Sequence, residues 1–435
     1  MRETTSAGIL VIGSGPGGAT VARALARAGQ RVLLLERGRD WRRSPLYGTY
    51  PGALLYADRN ALLFTREGMN IIRPLMLGGA TSMYCGCSSP PQAWWRERYG
   101  IELARYADET TRELKIAPLP AELRGAASTS IAEAGNALGM SWLPQEKFLQ
   151  PERSAHFNCG AHCMLGCRCG AKWSAAEFVD DAVAAGAEVW TRARVDRLLF
   201  DSQQVRGAQG RRAGRPFQID CDTVIVAAGG IGSALLLQNS GLADAGRGMA
   251  MDTTTMVYGQ APSTGMGGDP PMTWSCADDD LRVLYSTLID PWLMYPIIMA
   301  VKGPRYALTW GRWKRTLGVM IKLKDEISGA VDARGISKGL TPLDRERLTQ
   351  AEAVAGGILR QAGCAPDTIF TSPLRGTHPC ATVRIGSMLS ANLETEMAGL
   401  YVCDASVFPE ALGRPTVLTI ISLARRLADH LLAHA

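Results

Sequence analysis

The chain has 435 residues, 46% hydrophobic and 20% charged, with a formal net charge of +6. That length holds one large α/β body or two domains around a substantial core. The positive charge is dispersed, which excludes a basic nucleic-acid groove, and no stretch reaches the roughly eighteen unbroken apolar residues of a membrane span.

In chain order, a strand pattern begins by Ile9, too early for a secretory leader. With an odd count of 11 cysteines, this is the signature expected of a reducing, cytoplasmic setting. Residues 8 to 38 then read as strand, glycine turn, helix and strand. Ile9 to Ile12 are an apolar run, and Gly13, Gly15 and Gly18 form G-x-G-x-x-G around Ser14 and Pro16. Ala19 to Ala28 have helical composition, and Gln30 to Leu35 form a second strand ending at Glu36, followed by Arg37. The glycines suit a tight turn, close approach to a pyrophosphate and close helix–strand packing, and the acidic residue suits a ribose. The helix start offers free N–H groups to phosphate. A dinucleotide site follows, with FAD and NAD both open.

"PLMLGGATSMYCGCSSPP" (74 to 91) is a second glycine-rich segment. Residues 156 to 172, "HFNCGAHCMLGCRCGAK", space Cys159, Cys163, Cys167 and Cys169 as C-x3-C-x3-C-x-C. Gly160, Gly166 and Gly170 favour a loop over an unbroken helix. Four readings stand: iron–sulfur ligands, another metal, redox thiols, or buried structural cysteines. "DTVIVAAGGIGSALLLQNSGL" (222 to 242) reads as a buried strand ending in small residues, Ala228 and Gly229 among them. The apolar run 288 to 301 suggests a lipophilic or aromatic substrate, with core packing as its alternative. Residues 306 to 315 mix aromatics and cations, either at a membrane surface or as an ordinary amphipathic segment. Residues 316 to 331 predict a strand and hairpin, and 341 to 363 an amphipathic helix capped by Thr341. "GLYVCDASVFP" is a strand ending at Asp404, followed by an amphipathic C-terminal helix.

The N-terminal unit, segments 74 to 91 and 222 to 242, and the run from "THPCATVRIG" (377 to 386) through 400 to 432 together resemble the glucose–methanol–choline (GMC) family of FAD oxidoreductases, in family order. The resemblance implies an α/β fold: a discontinuous Rossmann-like FAD domain, plus an α+β substrate domain whose antiparallel sheet covers the flavin. It divides the chain into FAD-domain parts at 1–100, 151–240 and 375–435, a cap segment at 101–150 and a substrate domain at 241–374. It implies non-covalent FAD along Gly78, Gly79, Thr81, Ser82 and Met83, with the Val195 backbone at adenine and Ala405 near the ring; the Asp404 carboxylate, at its strand end, suits the ribitol or pyrophosphate, or else a helix or turn cap. Met83 stands where one branch of the family carries a flavin-tethering histidine. A cysteine-rich segment recurs in some relatives.

Of the five histidines, only His378 falls where the family carries its catalytic base. A second histidine or asparagine, usual at the start of the last helix, is replaced in "GRPTVLT" by Arg414 or Pro415. Arginine is no base, but it can stabilise an anion. The expected function is a GMC-type alcohol oxidoreductase, a dehydrogenase before an oxidase. A small-molecule alcohol would be the substrate, and an electron-acceptor protein or a quinone the partner. C=C reduction, desaturation or isomerisation is the alternative, as is an electron-transfer subunit without its own substrate.

Overall fold

The computed structural model describes residues 3–157, 160, 162–263 and 265–434. Its centre is a parallel sheet in the order Leu400–Val402, Val224–Val226, Ile9–Ile12, Val32–Leu35 and Glu188–Trp190. Strands buried on both faces need continuous apolar runs, and ILVI, VLLL and VIV supply them. Helix Pro16–Arg27 packs against Ala175–Ala184 and Val417–Ala433. This Rossmann-like layer is assembled from widely separated parts of the chain.

A second, mostly antiparallel sheet is built around Thr253–Gln260, Thr316–Leu323, Val283–Thr287 and Trp274–Asp278. Helices Pro342–Gln361 and Ala126–Ala137 pack against it. Thr341 caps the longer helix as expected: its Oγ1 accepts from Asp344 N at 3.1 Å, and Asp344 Oδ2 accepts from Thr341 N at 3.1 Å. Of the strand and hairpin predicted over residues 316 to 331, the strand forms at Thr316–Leu323, while the hairpin lies further on, at Ala330–Asp332 and Gly335–Ser337.

The cysteine-rich segment is mainly loop, with one short 3-10 turn at His162–Leu165; Cys159 lies outside the described residues. No helix among the described residues is long and apolar enough to cross a membrane.

Candidate active site

The glycine turn performs its mechanical tasks one residue at a time. Gly13 sits at φ +111°, and a Cβ there would lie 2.2 Å from the Ala227 carbonyl oxygen. A Cβ on Gly18 would lie 2.0 Å from the Gly13 carbonyl oxygen, so helix and strand touch. Gly15, by contrast, has nothing within 4 Å of its would-be Cβ: it opens on a groove. Helix Pro16–Arg27 starts there without a side-chain cap, leaving its first N–H groups for an anion. Gly17, which the motif does not mark, has the closest approach: its Cβ would lie 1.9 Å from the Cys403 carbonyl oxygen.

Glu36 is buried beside this turn. Its Oε2 accepts from Ser14 N (3.2 Å) and Ser14 Oγ (2.5 Å), and its Oε1 from Gly38 N (2.7 Å). Burial raises its pKa against these bonds. Ser14 Oγ also accepts from Gly78 N at 3.1 Å, which brings the second glycine segment over the first. Gly78 and Gly79 take φ +87° and +53°. Thr81 Oγ1 donates to the Gly78 carbonyl and accepts from Ala175 N, and Ser82 Oγ donates to the Leu77 carbonyl. Met83 packs against Ala53, Tyr56, Met76 and Leu165.

Val195 is half-buried at a bulge in strand Ala193–Asp201, where pairing skips to Arg197. Nearby, a cleft of about 480 Å³ is lined by Arg37, Arg39, Arg192, Arg194 and Arg211. Asp404 acts as a cap: it accepts from Gly229 N (2.8 Å), Ser233 Oγ (2.5 Å) and Ser406 N (2.7 Å). It thereby ties the Ala228–Gly229 turn to the turn that begins at Ala405. Arg73 was not legible in the sequence. It pairs with Asp58 at 3.2 Å, feels the charges of Glu36 and Arg37, and its Nη2 would lie 2.6 Å from a Cβ on Gly232. It therefore bridges the Glu36 end of the groove and the first turn of helix Gly229–Asn239.

The loop carrying His378 joins this layer to the large sheet, because Cys380 N donates to the Ala250 carbonyl and a Cβ on Gly230 would meet the Pro379 carbonyl. His378 Nδ1 lies 2.7 Å from Asp252 Oδ2, and Asp252 Oδ1 accepts from Gly413 N at 2.8 Å. Asp252 is fully buried and held at φ +48°. With the Nδ1 proton given to the carboxylate, the lone pair of His378 stands at Nε2. Burial lowers the His378 pKa first, the Lys322 charge lowers it further, and Asp252 opposes both. Lys322, on strand Thr316–Leu323, is itself buried, and burial lowers its pKa against the opposing charge of Asp252. Its cross-strand partner is Thr254, two residues beyond Asp252.

Arg414 points elsewhere. Its Nη2 donates to Asp279 Oδ1 at 2.9 Å, and its Nη1 to the Gly413 carbonyl at 3.2 Å. Asp252 and Lys322 are the site's unforeseen members, since neither sits in a motif.

The cysteine loop is bolted to the second glycine segment by Lys172, whose Nζ donates to the carbonyls of Ser82 (3.2 Å), Tyr84 (2.7 Å) and Cys163 (2.9 Å). Cys167 and Cys169 place their sulfurs 3.6 Å apart, and Cys163 is buried. Among the described residues no three His, Cys, Asp or Glu side chains converge to hold a metal ion. Cys87 Sγ accepts from buried Lys147 at 3.4 Å, and burial pushes the Cys85 thiol up to about 12, so it stays protonated.

Two family models described as GMC oxidoreductase match residues 17–254 and 328–424. An uncharacterised GMC-type oxidoreductase of Mycobacterium tuberculosis is 28% identical over 99% of this chain and 76% of that protein. A long-chain-alcohol oxidase of Arabidopsis thaliana is 23% identical over 95% of this chain and 67% of that protein. Among solved structures, pyridoxine 4-oxidase from Mesorbium loti shares the fold. Its TM-score is 0.74 at 16% identity, covering 99% of this chain and 100% of that one.

Proposed function

The chain belongs to the GMC oxidoreductase family, and from that premise we propose that it oxidises a lipophilic or aromatic alcohol with FAD, using His378 as the base. The observation that carries this reading is the His378–Asp252 pair beside buried Lys322. The relatives named as oxidases of long-chain alcohols and of pyridoxine support an alcohol as substrate.

The groove fits the cofactor. The open face at Gly15 and the uncapped helix start would take the pyrophosphate, and Glu36 Oε1, which keeps an acceptor position, would take a ribose hydroxyl. When bound, FAD supplies the acceptor for the hydride that leaves the alcohol carbon. His378 Nε2 takes the hydroxyl proton, Asp252 holds the ring and offsets the charge the ring gains, and the Lys322 ammonium offsets negative charge developing on the substrate oxygen. Lys322 thus fills the electrostatic part of the family's missing second residue, while Arg414 secures the loop through Asp279.

Anaerobic mixing of the holoenzyme with primary alcohols of increasing chain length tests the function. Loss of the flavin's visible absorbance, faster for longer or aromatic alcohols and slowed by deuterium at the carbinol carbon, is the expected result. Inertness to every alcohol, with turnover of an enone instead, would overturn it.

Two variants test the parts. Lys322→Met lowers kcat/KM roughly 10² or more, by the scale for losing one preorganised charge-stabilising group. It also moves the acid limb of the pH profile. A neutral base is required, and the Lys322 charge disfavours protonated His378, so removing it raises the histidine pKa and shifts the limb to higher pH. Asp252→Asn shifts the limb the other way. A Lys322→Met profile superimposed on that of the parent would remove lysine from the mechanism.

Arg73→Ala weakens FAD binding by about tenfold to a hundredfold, the scale of one charge-assisted hydrogen bond. Flavin fluorescence on titrating the apoprotein reads this directly, and unchanged affinity would place Arg73 in a purely structural pair with Asp58.

A further inference from the structure

The apolar run 288 to 301 is split: Leu288, Ile289, Asp290, Pro291, Tyr295 and Met299 are buried, while the rest is partly or fully exposed. Within it, helix Met294–Lys302 buries Tyr295 and Met299 on one side. On the other side Ile297 and Val301, also one turn apart, are 59% and 68% exposed. Leu308 follows at 80% exposed, and Trp292, 44% exposed, packs on Trp310 with ring centroids 4.9 Å apart. The helix start borders helix Tyr50–Tyr56, because Met294 packs into the cluster of Ala53 and Tyr56; there Leu54 and Leu55 are exposed as well. A helix on a water-facing surface ordinarily turns charged residues outward. This one turns out isoleucine and valine, with a tryptophan pair at its edge.

Within the segment itself the charge has one sign, although Glu67 and Glu352 line the cleft that Val301 and Lys302 border. Residues 291 to 315 contain Lys302, Arg305, Arg312, Lys314 and Arg315 and no Asp or Glu. Arg305, Arg312, Lys314 and Arg315 are exposed; Arg305 donates to the Tyr306 hydroxyl and Arg315 to the Ala261 and Pro262 carbonyls, and among the described residues none of the four forms an ion pair with an acid. Apolar side chains flanked by exposed cations and interfacial tryptophans match an anionic bilayer surface: acyl chains receive the former and headgroups the latter. A second copy of the chain fits less well, since a two-fold contact would set these cations against themselves.

We propose that the face formed by Trp292, helix Met294–Lys302 and Leu308 docks peripherally on an anionic lipid bilayer. This holds whatever the enzyme oxidises, so its test does not depend on the alcohol reading.

The holoenzyme is sedimented with vesicles of phosphatidylcholine alone, or mixed with phosphatidylglycerol. Binding to the mixed vesicles, lost as salt screens the cations, is the expected result. Ile297→Glu with Val301→Glu cuts partitioning at least tenfold, by about the transfer scale for apolar burial. Arg312→Gln and Lys314→Gln cut it about fivefold each, the effect of one cation near an anionic surface. All of these variants keep their bound FAD, which shows that they fold. No binding to mixed vesicles at low salt, or variants that bind like the parent, would overturn the proposal. So would a dimer in sedimentation velocity that Ile297→Glu dissolves, because a second copy would then be the occupant.

Discussion

His378→Ala is expected to lower kcat/KM by about 10² to 10⁴, the range for removing a positioned general base, while FAD remains bound in full stoichiometry. No other histidine can substitute. Among the described residues His378 alone pairs with a buried carboxylate, whereas His430 and His434 stack on each other near the chain end. Truncation leaves Asp252 fully buried with the Gly413 N–H as its one remaining side-chain hydrogen bond among the described residues, which costs stability as well as activity. His378→Asn is therefore the better probe: its amide can still donate to Asp252 but cannot accept a proton at neutral pH. Both variants should lose turnover equally, and added imidazole should restore part of it in the alanine variant alone. Turnover by His378→Asn at the parental rate would leave the alcohol proton without a base on this histidine and would sink the mechanism.

Gly17→Val is expected to abolish FAD binding and lower the Tm. Its Cβ would lie 1.9 Å from the Cys403 carbonyl oxygen, a backbone atom that cannot swing aside. Nor can the helix retreat freely, since Gly18 rests on the Gly13 carbonyl one residue later. Overpacking of this kind costs about 1–3 kcal/mol or more, and any relief moves the N–H groups that face the pyrophosphate. Gly15→Ala separates the two effects. Its Cβ meets no protein atom, so the Tm should hold while FAD affinity falls. Equal Tm losses in the two variants would mean that Gly15 is a packing glycine, and its place at the cofactor would be wrong.

These contrasts show where the sequence is legible. Strand, glycine turn and helix at residues 9 to 27 depend on neighbours a few residues apart, so their tasks could be read directly. The Thr341 cap was readable for the same reason. His378 was found by its place in a family pattern, since nothing local marks one histidine among five. Asp252 reaches it from 126 positions away, and Lys322 arrives through the pairing of Thr254 with Lys322 across two strands. A lysine within the strand TLGVMIKL reads as an edge or a solvent-facing position, yet the strand is buried along its whole length. Asp404, read either as a cofactor contact or as a cap, makes capping bonds with both oxygens. The run 288 to 301 was legible in part, since core packing holds for Leu288, Ile289, Tyr295 and Met299, and its outward face was missed for a different reason. A segment apolar on every side carries no periodic signal of which side meets the core, so composition alone pointed inward.

The order of strands in the central sheet has a consequence for how the protein is made. Val224–Val226 pairs on one side with Ile9–Ile12, available early, and on the other with Leu400–Val402, nearly the last strand synthesised. At about 5–20 residues per second on the ribosome, the nascent chain exposes that edge for on the order of ten seconds or more. An open, wholly apolar strand edge is a template for pairing with other chains, so production of this enzyme should depend on chaperone supply during translation. Any chain released before residue 400 keeps the edge permanently unpaired.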